Sequence, residues 1–218
     1  MGDSNSQRST VLASIRMSLG APSSPAGIEA EYAAIERSYK CKGTLSEDAL
    51  LDLFEDRLLE YDAGVYRCSA SRIADAVEGI LRKRRKSGLA IPAGLSREWL
   101  PEGFGFTDAT GLDAYELDKT EGLLSSCTVA IAETGSLVLQ NADGQGARIL
   151  SLVPDYHLCV VTASQVVETV PEAFERLAKT SDLPTTFISG PSATADIEMT
   201  RIKGVHGPRF LDVLLVIA

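Results

Sequence analysis

Two glycine–proline loops near the end of the chain carry the polar groups best suited to holding a small anion. They lie between residues 185–188, which have the composition of a short strand, and residues 211–217, an apolar strand. Glycine lets a backbone approach a ligand closely, and hydroxyl, imidazole and guanidinium groups donate hydrogen bonds to anions. The candidate anion-binding residues are Ser189, Gly190, Ser192, Thr194, Gly204, Gly207 and Arg209, and His206 is a candidate catalytic residue.

A short helix is predicted between the two loops, from Thr194 to about Ile202. The first amides of a helix lack partners within the helix, and its dipole is positive there, so this helix start favours an anion. The same residues also fit ordinary turn chemistry, in which Ser192 or Thr194 caps the helix and no ligand is present. For both loops to line one pocket, the helix has to be short and tilted, or the last strand has to run antiparallel.

Two further ionisable residues lie next to apolar segments. Glu133 follows residues 129–132 (VAIA), and a carboxylate in such surroundings can act as a base or nucleophile. The alternative is a glutamate at a strand edge that reaches solvent. His157 precedes an apolar strand, where a histidine satisfied within the core or at its rim is the commoner role. Glu133 is therefore the second candidate catalytic residue beside His206.

Composition restricts the classes of partner and cofactor. The net charge of −9 over 218 residues argues against non-specific nucleic-acid binding, which needs a positive face. Iron–sulfur and structural zinc sites use closely spaced thiolates, whereas the cysteines here are scattered. We therefore expect no metal and no cofactor in this chain, a reduced cytoplasmic protein, and no membrane span. The cysteines are Cys41, Cys68, Cys127 and Cys159.

The first half of the sequence predicts alternating helices and strands. This order is typical of a parallel sheet with helices packed on it. A basic run at residues 82–86 suits the carboxyl end of a helix and is interpreted as a solvated face. The predicted elements are a helix over residues 46–61, opened by a capping box from Thr44 to Glu47, a strand over 64–68, a helix over 71–86 and a strand over 89–91.

The second half predicts an antiparallel addition, which makes the sheet mixed. Residues 141–146 have the composition of a hairpin turn between strands at 137–139 and 148–152. Residues 121–126 are expected to be a connection. Near the start of the chain, a Pro/Ser/Gly linker between helical segments predicts an arm rather than a packed core.

Four motifs occur together in this chain: residues 132–136 (AETGS), the strand around His157, residues 189–198 (SGPSATADIE) and residues 204–209 (GVHGPR). Together they resemble the LUD domain family, in its small lactate-utilisation C type. The resemblance covers residues 46–218. It implies an α/β protein with a three-layer α/β/α architecture, a mixed, mainly parallel sheet and a NagB/RpiA/CoA-transferase-like fold. Residues 1–45 lie outside it as an N-terminal helical arm and linker.

The resemblance also implies a function. It indicates a role with two iron–sulfur partner proteins in the oxidation of L-lactate to pyruvate. This chain would be the cluster-free subunit, binding a small anionic ligand near the C-terminal loops, with the iron–sulfur clusters on its partners. Two alternatives stay open: a non-catalytic regulatory or assembly subunit, and a stand-alone acyl- or nucleotide-handling enzyme that uses Glu133.

Overall fold

The computed structural model describes residues 3–19, 24–194, 202–203 and 207–217. The chain divides into two units, residues 1–39 and residues 40–218. The first unit contains the helices α1 (Asp3–Ser18) and α2 (Pro25–Ala34). Proline suits the first turn of α2, and the side chain of Ser24 caps it by accepting the Gly27 N–H. This division falls after residue 39, whereas the sequence prediction placed the boundary after residue 45.

The second unit alternates helices and strands along the chain. Within the described residues no helix is long and apolar enough to cross a bilayer. The helices are α3 (Glu47–Glu60), α4 (Ile73–Arg84), α5 (Ala114–Asp118) and α6 (Val170–Leu177). The strands are β1 (Gly64–Ser69), β2 (Gly88–Ile91), β3 (Gly105–Asp108), β4 (Leu123–Ser126), β5 (Val129–Ile131), β6 (Ser136–Gln140), β7 (Tyr156–Thr162), β8 (Val166–Val167), β9 (Thr185–Ser189), β10 (Ala193–Thr194), β11 (Ile202–Lys203) and β12 (Phe210–Ile217).

The larger sheet is parallel throughout its described strands, in the order β1-β12-β7-β4-β2-β3. β12 lies between β1 and β7. Its side chains are buried on both faces, with Val213 and Leu215 in one core and Leu214 and Val216 in another. A strand covered on both faces has a nearly continuous apolar sequence, which explains the run at the end of the chain. Because β12 is parallel to both neighbours, the antiparallel alternative for the last strand is wrong.

A smaller mixed sheet, in the order β8-β5-β6-β9, packs with α3 against one face of the larger sheet. Phe54 and Leu58 of α3 share a core with Leu137 of the smaller sheet and Val213 of the larger one. Leu81 of α4 is buried in the core on the opposite face. α6 covers the outer face of the smaller sheet. The predicted α/β class with a mainly parallel sheet between other layers is confirmed.

Three local predictions are wrong because long-range pairing decides those segments. Residues 121–126 contain β4, and Arg148–Ser151 is a short 3-10 helix rather than a hairpin strand. β6 pairs antiparallel with β5 and β9 instead. Thr194 and Ile202 lie in β10 and β11, which pair antiparallel, so the predicted helix neither begins nor ends at those residues. Residues 195–201 lie outside the described part of the chain.

A buried carboxylate ties β12 to its surroundings. Asp212 is fully buried and accepts hydrogen bonds from Arg84 Nε at 2.7 Å and from the Tyr156 hydroxyl at 2.9 Å, and Arg84 Nη2 also donates to it. These bonds raise the pKa of the Arg84 guanidinium, chiefly through the hydrogen bond to Asp212. Gly64 of β1 lies opposite, and a Cβ atom there would collide with the carboxylate. The Asp212 carboxylate thus links β12 to the end of α4 and to β7.

Replacing Asp212 by alanine should destabilise the fold strongly, because the Arg84 guanidinium and the Tyr156 hydroxyl lose their acceptor. Removing one partner of a buried pair typically costs about 3–5 kcal/mol, which urea unfolding can measure. The exposed pair between Asp155 and Arg209 supplies the control. Asp155→Ala should leave the unfolding midpoint almost unchanged, since exposed pairs contribute little. Equal losses in the two variants would contradict this role for Asp212.

Candidate functional site

The two loops meet through one backbone hydrogen bond. The Ser192 N–H donates to the Pro208 carbonyl oxygen at 2.8 Å, so the segment 189–193 lies beside Gly207 and Pro208. Together with residues from the 148–152 segment they line a cavity of about 340 Å³. Both loops therefore reach one cavity, although the last strand is parallel. The polar side chains among its lining residues are those of Arg148, Ser151, Thr186, Ser189 and Ser192.

A row of hydroxyl groups leads from this cavity to the AETGS motif. Ser189 Oγ lies 2.6 Å from Ser136 Oγ, and Ser136 Oγ lies 2.8 Å from Thr134 Oγ1. The row follows from strand pairing, because Ser136 of β6 is registered with Ser189 of β9. Two motifs that are more than fifty residues apart in the sequence are therefore parts of one polar surface. Because each hydroxyl can both donate and accept, Ser189 can form a hydrogen bond with a ligand in the cavity while it stays bonded to Ser136.

The glycines of these motifs have a packing role. Gly135 and Gly190 both have positive φ angles, +57° and +81°. A Cβ atom at Gly190 would lie 2.5 Å from Tyr61 Cβ, and one at Gly135 would lie 2.9 Å from Arg57 Cβ. Glycine thus lets both turns pack against the end of α3. Gly190 approaches Tyr61 closely and also lines the cavity, so its predicted contact with a ligand stays a prediction.

Arg209 is occupied by an acidic neighbour. Phe210 of β12 is registered with Tyr156 of β7, so Arg209 and Asp155 precede neighbouring parallel strands. Arg209 Nε and Nη2 donate to the two carboxylate oxygens of Asp155 at 2.5 and 2.8 Å. This hydrogen bonding raises the pKa of Arg209. The guanidinium that was predicted to hold an anion is therefore paired within the protein, and Arg209 is not among the residues that line the cavity.

Arg148 is the cation that the sequence interpretation missed. It is exposed and lines the cavity, and its guanidinium has no hydrogen-bond or ion-pair partner in the part of the chain that the structure describes. The sequence predicts a hairpin strand at this position, which gives the Arg148 side chain no role. The available signal was its position directly after a glycine-rich turn, since loops carry binding groups more often than strands do.

The remaining predicted residues stand as follows. Thr194 lies in β10 and not at a helix start. Gly207 faces the first loop, since a Cβ atom there would lie 3.4 Å from Ser192 Cβ. Gly204 and His206 lie outside the described residues. The assignment of these four residues to ligand binding or catalysis remains a prediction.

Glu133 lies in the turn between β5 and β6 and faces a lysine. Its side chain is 38% exposed, and its Oε1 is 3.2 Å from Lys40 Nζ. Lys40 also pairs with Glu168, a buried carboxylate that accepts the Thr44 and Leu45 N–H groups at 2.6 and 2.8 Å. The hydrogen bond from Lys40 is the main cause that lowers the pKa of Glu168. Glu133 is thus a partly exposed carboxylate in an ion pair and is not enclosed by apolar side chains.

The Thr44 N–H donates to Glu168, and Thr44 does not begin a capping box. The helix cap of α3 is Ser46, whose Oγ accepts the Ala49 N–H at 3.4 Å. The predicted helix is correct, but its cap lies two residues later than predicted. The reason is that Glu168, far along the chain, takes the Thr44 amide.

His157 is a core histidine. Its ring is fully buried, with Nε2 2.7 Å from Ser125 Oγ and with Nδ1 lacking a hydrogen-bond partner among the described residues. Burial lowers its pKa to about 4, because the charged imidazolium would lose its hydration. The ring is therefore neutral near pH 7, and its place in β7 is structural.

Comparisons with known proteins agree with one another. The sequence profile of a family described as LUD domain matches residues 51–216. A Deinococcus radiodurans protein named lactate utilization protein C is 41% identical over 181 residues, covering 82% of this chain and 84% of that protein. A protein of the same name from Halalkalibacterium halodurans is 27% identical, covering 93% and 94%. The crystal structure of a DUF162 family protein from Deinococcus radiodurans, 37% identical, superposes with a TM-score of 0.69 over 79% of this chain and 99% of that one.

The ring of His157 should stay neutral down to about pH 4, whereas an ordinary histidine titrates near pH 6.5. NMR titration of the ring protons should show one of the two histidines unchanged above about pH 5, and loss of that signal in His157→Gln assigns it. The unfolded chain takes up this proton first, so wild-type stability should fall as the pH drops from about 6.5 towards 4. The fall should be smaller in His157→Gln. A His157 ring that titrates near pH 6.5 would refute this.

Proposed function

The chain belongs to the LUD domain family, and we propose that it serves lactate utilisation by holding a small carboxylate anion in the cavity between its two C-terminal loops. The relatives named lactate utilization protein C support the metabolic role. At the level of the site, the observation that carries the proposal is the hydrogen bond from Ser192 to Pro208, since it brings both loops to one cavity.

The chemistry of the lining supports a carboxylate ligand. L-Lactate and pyruvate each present a carboxylate, which a guanidinium holds through two parallel hydrogen bonds. Arg148 lines the cavity, and its fork is unoccupied among the described residues. The Ser189 hydroxyl, linked to Ser136, can donate to the keto oxygen of pyruvate, and it can donate to or accept from the 2-hydroxyl of L-lactate. These groups distinguish a 2-hydroxy or 2-oxo acid from a purely apolar molecule.

Oxidation of L-lactate to pyruvate removes two electrons and two protons, so an electron acceptor is required. In this proposal the iron–sulfur partner proteins accept the electrons, and this chain is the cluster-free subunit that binds and orients the acid. The isolated chain is then inactive with L-lactate and an artificial acceptor.

Two alternative functions need different residues. A regulatory or assembly subunit needs the loops only as structure, so removing a cation from the cavity would leave lactate oxidation unchanged. A stand-alone acyl- or nucleotide-handling enzyme needs Glu133 as its reactive group. The ion pair between Glu133 and Lys40 favours a structural role for this carboxylate.

Replacing Arg148 by alanine should weaken binding of L-lactate and of pyruvate at least about tenfold in calorimetric titrations, because a charge-assisted hydrogen bond is lost. The same variant should restore growth on L-lactate poorly in a strain that lacks this chain. Arg148→Lys keeps the charge without the fork and should give an intermediate result.

Arg97→Ala is the matched control, since Arg97 is also exposed but does not line the cavity. It should bind and complement as the wild type does. Copurification of each variant with the partner proteins separates binding from assembly. Normal growth with Arg148→Ala would reject the site and leave the scaffold role, and lactate oxidation by the isolated chain would reject the cluster-free role.

A further inference from the structure

The connections that follow β2 and β4 leave the larger sheet on opposite faces. After β2, Leu95 and Trp99 pack in the core that contains α4. After β4, Cys127 and Ala130 pack in the core that contains α3. β2 and β4 are neighbouring parallel strands. Ligands of open parallel sheets bind beyond the carboxyl ends of the strands at the place where the connections diverge in this way.

A second cavity, of about 470 Å³, lies at this place. The loop of residues 141–147 closes it from one side. The Ser126 N–H at the end of β4 donates to the Gly144 carbonyl oxygen at 2.8 Å, and the Gly144 N–H donates to the Ala93 carbonyl oxygen at 2.7 Å, just after β2. The loop thus bridges the two diverging connections. The cavity volume is within the range of small-molecule sites, about 300–1,000 Å³.

A hydrogen bond to the buried side chain of Gln145 holds this loop in place. Gln145 is buried, and its Oε1 accepts the Gln140 N–H at 2.7 Å. The short helix after the loop separates this cavity from the anion cavity described above. Ile149 and Leu150 line the second cavity, whereas Arg148 lines the first. The two cavities therefore have different chemistry although they share one segment.

The lining of the second cavity disfavours an anion. Asp143 is the one ionisable side chain among its described lining residues, and a carboxylate repels lactate and pyruvate. The other polar side chains are Asn141 and Thr110, and the Thr110 hydroxyl already donates to Asp108 at 2.6 Å. The free polar groups are thus an acceptor for hydroxyl donors and an amide that both donates and accepts. The apolar lining is provided by Pro92, Ala93, Ala109, Leu112, Ile149 and Leu150.

We propose that this cavity binds a nucleoside. The heterocyclic base packs against the apolar lining and pairs its polar edge with the Asn141 amide, and the ribose hydroxyls donate to Asp143, the use of an acidic side chain common in doubly wound folds. The site is independent of the proposed lactate site, since its polar groups and its ligand differ.

Adenosine is the probe, titrated into the full-length, ¹⁵N-labelled protein. The amide signals of Gly111, Gly144 and Gly146 should shift with saturation at sub-millimolar adenosine. Asp143→Asn removes the charged acceptor, and Ala93→Phe fills the cavity from an exposed position. Each should weaken binding at least about tenfold. Binding of adenine, which lacks the ribose, should be insensitive to Asp143→Asn.

Asp118→Asn, an exposed acidic residue of α5 away from the lining, is the matched control and should bind adenosine normally. Arg148→Ala should also bind it normally, so failure of the lactate site and failure of this site are distinguishable. The proposal is overturned by an absence of saturable shifts up to about millimolar adenosine, by shifts at Gly190 and Gly207 instead, or by wild-type affinity in either Asp143→Asn or Ala93→Phe.

Discussion

The pairing of the last strand between β1 and β7 is the constraint on which the rest of the structure depends. β12 is the last strand of the chain but lies inside the larger sheet. The strands β1 and β7 are therefore linked in the sheet only through β12. Its position places Gly207 and Pro208 at the edge of the sheet from which β7 also starts. The hydrogen bond from the Ser192 N–H to the Pro208 carbonyl oxygen then holds the loop after β9 of the smaller sheet beside it. The cavity between the two loops is a consequence of this strand order rather than of any single motif.

Sequence patterns predicted correctly the helices and strands that are determined by their own residues. Helix α4 has its apolar residues on one face and cations in its last turn, and both features follow from helix geometry. β12 was recognisable as a strand because it is apolar on both faces. The residues 141–146 show the limit of this reasoning, since their composition suits a hairpin. Beyond the adjoining residues, their backbone partners are Ala93, Ser126 and Pro184, which lie in three other parts of the fold.

The same distinction explains the candidate site. The serines and the glycine at 189–192 predict a break after the strand, but their contacts are long-range: Ser189 lies beside Ser136, and Gly190 lies beside Tyr61. Arg209 is the arginine predicted to face a ligand, but Arg148 is the arginine that lines the cavity. Arg209 follows the promising GVHGP motif, yet strand register places it beside Asp155. Arg148 carries no motif, yet the fold leaves its charge at the cavity. Residue type predicts which groups could bind an anion, and strand register decides which of them lie at the cavity.

Two cavities lie on either side of one short helix, and we propose an acidic ligand for one and a neutral ligand for the other. The helix Arg148–Ser151 belongs to the return from the loop that meets β4 to the start of β7, so its residues reach both cavities. A cation and hydroxyls on one side suit an acid, and a carboxylate among apolar groups on the other suits a neutral molecule.

A crystal structure of the protein with pyruvate or L-lactate tests the central claim most directly. We expect the carboxylate of the ligand between the two loops, within hydrogen-bonding distance of the Arg148 guanidinium, with Arg209 still paired to Asp155. An acid bound to Arg209 in place of Asp155, or bound in the second cavity beside Asp143, would contradict it.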